Sequence, residues 1–299
     1  MQHLRYLDYV DAVARCGSIR SAADNTLHVA ASAVNRRIKE LERELGTPIF
    51  ERLPTGVRLT AAGELFVGYT RRRTADLAQV RSEIESLHGL RRGTVSMAAS
   101  QALAPAFLPR AMVGFQAAHP GVGFAVKVLD RERAVQALAD FEVDLCLVFN
   151  PPPVRGMRIL AQARQRTCAV VAADHPLAGR ASVRLKDCLQ YPIALPDGSL
   201  SGRGVIDDLL EHASEQPVAA LVCNSFEMMH AFARESGGVS FQIALGAQGD
   251  PQLRAVPIEE RGLPASRLVL LALRDRVLPL ASARFAEHVG DRLLAMHQA

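Results

Sequence analysis

The chain has 299 residues, of which 49% are apolar and 22% charged. That length is too great for one small core and suits two or three domains, and the composition excludes a disordered chain. A net charge of +4 accommodates an anionic partner without demanding one.

The basic side chains are nearly all arginine, with lysine only at positions 39, 127 and 186. Arginine is the better fork for phosphates, carboxylates and guanine edges, although an Arg- and Ala-rich composition is equally what a base-composition bias produces. The five cysteines (Cys16, Cys146, Cys168, Cys188 and Cys223) are odd in number and form no Cys-x-x-Cys pair. Both facts argue against a disulfide framework or a zinc site and for a reducing compartment. The nine histidines show no metal-ligand spacing, so no metal and no cofactor is expected. The opening stretch carries Asp8 and Asp11 within its apolar residues, which makes it an amphipathic helix and not a signal peptide. No apolar run approaches the roughly 20 residues of a membrane span. These features predict a cytoplasmic protein with no membrane partner.

In chain order, residues 4–16 carry Leu4, Leu7, Val10, Val13 and Ala14 on one helical face. Gly17 suits the position just past the helix end, and Ser18 is a good N-cap for a short second helix, "IRSAADNTL". The turn "LHVA" leads to a third helix with Val34, Ile38, Leu41 and Leu45 on one side and Ser32, Asn35, Arg36 and Lys39 on the other. Gly46 and Pro48 close it, and "PIFERLPTGVRLT" reads as a two-stranded ribbon turning at Pro54 to Gly56. Three helices and a ribbon predict a winged helix-turn-helix over residues 1–59.

From Thr60, an N-cap, one helix runs to about residue 89. Its stripe is Phe66, Tyr69, Leu77, Val80, Ile84 and Leu87. At 1.5 Å per residue this spans about 40 Å, and a lone stripe that long predicts homodimerisation through residues 60–88.

After "GLRRG", strand-like and helical segments alternate from residue 93 to the end, predicting an α/β region with mostly parallel sheet. Two halves are expected, 93–162 with 267–299 and 163–266, and a chain crossing twice between them leaves a ligand cleft. Ser100 follows a strand, "DGSLSGRG" (197–204) runs into a helix with Ser199 and Ser201, and Asn224 does the same in "CNSFEMM". Such junctions offer free N–H groups to a small carboxylate or similar anion, while ordinary N-capping is the alternative reading of each residue. Gln101 and Phe149 join this set at the same strand ends. Cys223, beside Asn224, reads as a small core residue in preference to a redox sensor.

The stretch "GSIRSAADNTLHVAASAVNRRIKELERELGTPIFERLPTGVRLTAAGE" (17–64) resembles the signature of the LysR-type transcriptional regulators. Gly17, Ser18, Ala22, Ala23, Ile38, Leu41, Glu42, Leu45, Gly46, Ile49, Phe50, Arg52, Leu59, Thr60 and Gly63 stand at the family's spacings. The resemblance implies an α+β chain. A winged helix-turn-helix is joined by a long linker helix to a two-subdomain α/β effector domain similar to periplasmic binding proteins. It implies double-stranded operator DNA and a small organic, anionic effector as partners, homodimers joined into a homotetramer, and contact with RNA polymerase. Where the family commonly has Ser/Thr-Gln-Pro-Ala-Val-Ser, this chain has Ala30-Ala31-Ser32-Ala33-Val34-Asn35, so its base reading is altered. Asparagine suits adenine, and alanine suits a thymine methyl. Ser32, Asn35 and Arg36 are expected at base edges, and Arg20, Lys39 and Arg58 at phosphates. Arg52, at the ribbon base, either joins them or braces Glu51 or the helix end.

An enzyme is not expected. There is no phosphate-binding Gly-x-x-x-x-Gly-Lys-Ser/Thr loop, "GRGVID" and "GVGFAV" lack the third glycine of a dinucleotide site, and "GSLSG" misplaces its serine for a nucleophile elbow. A transport solute-binding protein would need an export signal. A constitutive DNA-binding protein with a vestigial cleft stays open beside the ligand-responsive one.

Overall fold

The computed structural model describes residues 2–86, 92–153, 155–200, 202–211, 218–260, 263 and 265–296. It divides into two compact units, Met1–Ser82 and Glu83–Ala299. Among the described residues no helix is long and apolar enough to cross a membrane.

The first unit runs α1 (Gln2–Cys16), α2 (Ile19–Ala22), α3 (Ala31–Leu45), β1 (Phe50–Leu53), β2 (Gly56–Leu59) and the start of α4 (Ala61–Ser86). Gly17, at φ +62°, ends α1, and the Ser18 hydroxyl accepts the Ser21 N–H at 3.3 Å to start α2. The second helix is shorter than its sequence suggests. It widens into one π-helical turn, Ala23–Leu27, that ends on His28 at φ 51°. Ala22 and Ala23 are fully buried with Val13, Val34 and Ile49, so small side chains here let the helices approach closely.

The β1–β2 ribbon pairs antiparallel, Phe50 with Leu59 and Leu53 with Gly56. Its turn is seated on the helices, with the Val57 N–H donating to the Gly17 carbonyl at 2.8 Å. A Cβ on Gly56 would stand 2.2 Å from that carbonyl oxygen, so only glycine permits the approach. Thr60 caps α4 by accepting the Gly63 N–H at 3.0 Å.

The second unit holds two five-stranded sheets. The first takes β3 (Gly93–Ala99), β4 (Val122–Val128), β5 (Leu145–Phe149), β6 (Met157–Gln165) and, far along the chain, β12 (Ser266–Leu273), in the order β4-β3-β5-β12-β6. The second takes β7 (Thr167–Ala172), β8 (Ile193–Pro196), β9 (Leu221–Cys223), β10 (Val239–Ile243) and β11 (Leu253–Pro257), in the order β11-β7-β10-β8-β9. The helices are α5 (Phe107–Ala118), α6 (Arg131–Ala139), α7 (Leu185–Cys188), α8 (Arg203–Glu211), α9 (Phe226–Ser236), α10 (Ala244–Ala247) and α11 (Leu280–Ala295).

The sheets are not mostly parallel. In the first, β3 pairs in parallel with β4 and β5, whereas β12 is antiparallel to both β5 and β6. The second repeats this division, with β10 parallel to β8 but antiparallel to β7. The cause is the double crossover. The chain leaves the first sheet along β6, and the returning chain enters it along β12, its neighbour. An apolar cluster spans both halves, joining Met97, Leu147 and Phe285 to Ala194, Phe226 and Ile243.

Candidate functional site

Two surfaces carry the residues singled out from sequence. On α3 the inward residues Val34 and Ile38 are buried, which turns Ser32, Arg36 and Lys39 to solvent with Asn35 half-buried beside them. The wing is held to this helix from behind. Glu42, on α3, accepts both the Ile49 N–H at 2.8 Å and the Phe50 N–H at 3.2 Å through one carboxylate oxygen.

On the exposed side, Arg52 of β1 donates to the Asn35 amide oxygen at 2.5 Å. Arg52 therefore braces the third helix, and Glu51 is taken instead by Arg58, at 2.7 and 3.2 Å. That carboxylate, by hydrogen bond and by charge, raises the pKa of the Arg58 guanidinium. Arg20 and Arg36 face Asp24 and Glu40 at 3.9 Å, on the exposed surface where such pairs are easily exchanged. The structure thus brings Asn35 and Arg52 together and leaves Arg20 and Arg58 each with a neighbouring carboxylate. The Asn35–Arg52 contact was not legible as a pair, because the two positions are joined only by the ribbon's fold.

The second surface is a cleft of about 580 Å³, counting space open to solvent, in the second unit. Its walls are strand ends and helix starts from both sheets. Ser100, Gln101, Phe149 and Ser199 line it, together with Thr167, Phe226, Gln242 and Ser266, which sequence reading missed. Asn224 is not among its lining residues and is exposed, while Ser201 lies outside the described residues.

Ser100 is 5% exposed and precedes a short 3-10 turn, yet its hydroxyl makes no capping hydrogen bond. Ser225 does cap, accepting the Met228 N–H at 3.2 Å, and the Ser199 hydroxyl donates to Asp197 at 2.5 Å. The Ser199 hydroxyl and N–H together hold the Asp197 carboxyl below the usual range. Gln101 reaches across to the start of α9, where its oxygen accepts the Phe226 N–H at 3.3 Å. The cation among the described lining residues, Arg131, donates to Glu132 at 2.9 Å and to the Asn150 carbonyl at 3.3 Å.

The cysteines stand apart from both surfaces. Burial pushes the thiols of Cys146 and Cys188 up to about 12 and that of Cys168 to about 11, which makes them poor nucleophiles. Among the described residues no group of three or more His, Cys, Asp or Glu could hold a metal ion.

Comparison with known proteins matches residues 4–64 to "Bacterial regulatory helix-turn-helix protein, lysR family" and residues 88–294 to "LysR substrate binding domain". A RuBisCO operon transcriptional regulator of Allochromatium vinosum is 31% identical over 98% of this chain and 97% of its own length. Among solved structures, CbnR complexed with its target DNA aligns at a TM-score of 0.64 and 23% identity, covering 97% of this chain and 99% of that one. A full-length OxyR variant from Pseudomonas aeruginosa aligns at a TM-score of 0.68 and 20% identity, covering 97% of this chain and 94% of that one. These last two likenesses are of fold. The exposed polar face of α3 and the two-walled cleft accordingly belong to a DNA-binding transcriptional regulator with an effector-binding domain, not to an enzyme, and the chain is a member of the LysR family.

Proposed function

We propose that this chain reads an operator in double-stranded DNA through α3 and its wing, and that a small organic, anionic effector held in the cleft modulates that binding. Ser32, Asn35 and Arg36 face base edges in this reading, Arg20, Lys39 and Arg58 supply the phosphate-side charge, and Arg52 holds the Asn35 amide at the DNA-facing surface. Phosphate contacts fix register and base-edge contacts specify sequence. The protein works in the cytoplasm, pairs through the stripe on α4 and assembles further into a tetramer that contacts RNA polymerase.

The observation that carries the effector half is Ser100. Its hydroxyl sits buried at the end of β3 on the cleft wall and is not spent on capping the turn it begins. A small molecule can bias the assembly only if it binds one arrangement of the subunits better than the other.

The test is a DNase footprint upstream of the chain's own gene at near-physiological salt, without and with small carboxylates and aromatic acids. A protected site whose extent changes with one compound is expected. A footprint that no compound alters would leave a constitutive DNA-binding protein, and loss of Ser100 (Ser100→Ala) with no change in response would return that residue to a structural role.

A further inference from the structure

Three buried polar atoms beside the cleft make no hydrogen bond among the described residues: Oε1 and Nε2 of Gln242 and Nε2 of His230. Gln242 is 5% exposed and His230 is 7% exposed. Folded proteins keep few such groups, because a buried amide without partners loses its water and gains nothing in return. The cluster is not an accident of a loose surface. Gln242 lies in β10, paired with Cys168 of β7, and its side chain lines the cleft. A Cβ on Gly246 would fall 2.1–2.3 Å from the Gln242 amide atoms, so the next turn of chain is a glycine where the amide needs room. His230 approaches from α9, and its imidazole stands close enough to the Gln242 amide to be favoured in its charged form by it, although the two complete no hydrogen bond.

We propose that Gln242 recognises the effector, and that the effector offers it a single planar carboxylate or carboxamide carried on an apolar body. The inference rests on the cleft being an effector site. A primary amide donates from nitrogen and accepts at oxygen in one plane. A carboxamide meets both functions. A carboxylate takes the N–H, with the Ser100 hydroxyl as a second donor. Elsewhere on the wall Ala102, Leu129, Phe149, Phe226 and Ile243 suit an apolar body, and Asp130, Thr167, Ser199 and Ser266 add polar groups. Arg131 is bonded to Glu132 and stands next to Asp130, so this stretch of wall carries no net positive charge for a phosphorylated effector.

The experiment compares the full chain with its Gln242→Leu variant by thermal melting, alone and with benzoate, benzamide and ribose 5-phosphate at millimolar concentration. Leucine keeps the bulk and removes the polar atoms. Without added compound the variant is expected to melt at or above the wild-type temperature. Benzoate or benzamide should raise the melting temperature of the wild type, and the variant should lose that shift. A variant melting several degrees below the wild type would overturn the proposal, because the amide would then be a structural element. Equal shifts in both proteins with benzoate or benzamide would overturn it too. A shift with ribose 5-phosphate alone, the same in both proteins, would sink Gln242 as the reader while keeping the cleft as an effector site. No shift with any of the three would overturn the proposed head group, and only a footprint that also ignores every compound would take the cleft reading down with it.

Discussion

Arg52 has donors and no acceptor, so the end of the Asn35 amide that faces it must be the oxygen. That orientation turns the Asn35 nitrogen away from Arg52, and the pair together offers N–H donors to whatever lies against α3. From its residue type alone, Asn35 suits adenine, which needs the oxygen as well as the nitrogen. Held by Arg52, its oxygen is already engaged. Replacing Arg52 with alanine should therefore change the base preferred at one position of each half-site, and selection of bound DNA from a random pool would reveal it. Arg58→Ala, whose partner is Glu51, should weaken binding evenly across sequences. If both variants lose affinity evenly, Arg52 contacts only phosphate. Glu42 makes a second prediction at this scale. Its carboxylate satisfies two backbone N–H groups of residues that are themselves buried, Ile49 and Phe50. Glu42→Ala should cost about 1–3 kcal/mol by stranding those donors, read as a lowered denaturant midpoint. A midpoint unchanged within error would mean that water replaces the carboxylate.

At the scale of elements, α4 is the clearest case of a helix whose apolar pattern stays exposed in a single chain. Tyr69 is 43% exposed, Val80 49% and Ile84 60%, on a helix of 26 residues. Substituting glutamate at both Val80 and Ile84 should convert dimers to monomers in sedimentation. Helical content should be kept, because both side chains are already in solvent. Dimers that persist would place the subunit contact elsewhere. The first unit was legible in the sequence because its signals are local: Gly17 and Ser18 between two helices, Thr60 at the head of a third, a stripe at fixed spacing. The crossover strands were not. β6, "MRILAQARQ", buries only three of its nine residues, and β11 is short and ends in proline, so neither shows a buried strand's pattern. The direction in which β12 meets β5, and β10 meets β7, is set by the crossovers and by no local pattern, which is why a mostly parallel sheet was expected. The cleft was half legible for the same reason. Ser100 and Ser199 stand at visible strand and loop ends. Gln242 and Thr167 sit inside runs that read as plain core strand, "GVSFQIA" and "TCAVVAA", and only the pairing of β10 with β7 puts them on the wall.

For the molecule as a whole, stability against pH follows from three histidines that burial holds below the ordinary imidazole value of 6.5: His175, His230 and His288. The geometry around two of them explains why the neutral ring is kept. His175 accepts the Leu177 N–H at Nδ1, 3.1 Å away, and faces the Gly237 carbonyl with Nε2 at 3.2 Å. His288 accepts the Arg292 guanidinium at Nε2, 3.0 Å away, and that cation further opposes a charge on the ring. Protonation would remove both acceptors. Asp174 and Asp291 pull the other way without reversing the direction for His175 or His288, and Asp250 does so without reversing it for His230. Because the folded values lie below the unfolded one, an unfolded chain takes up these protons first as pH falls. The stabilisation is fully present above about pH 6.5 and drains away as pH falls through the folded values, after which these rings contribute no further slope. The denaturant midpoint should therefore fall between pH 7.5 and pH 5.5. His175→Asn, which can keep an acceptor for the Leu177 N–H without a titrating ring, should flatten part of that slope. A midpoint that holds constant over the interval would show that the three rings bind protons as readily folded as unfolded.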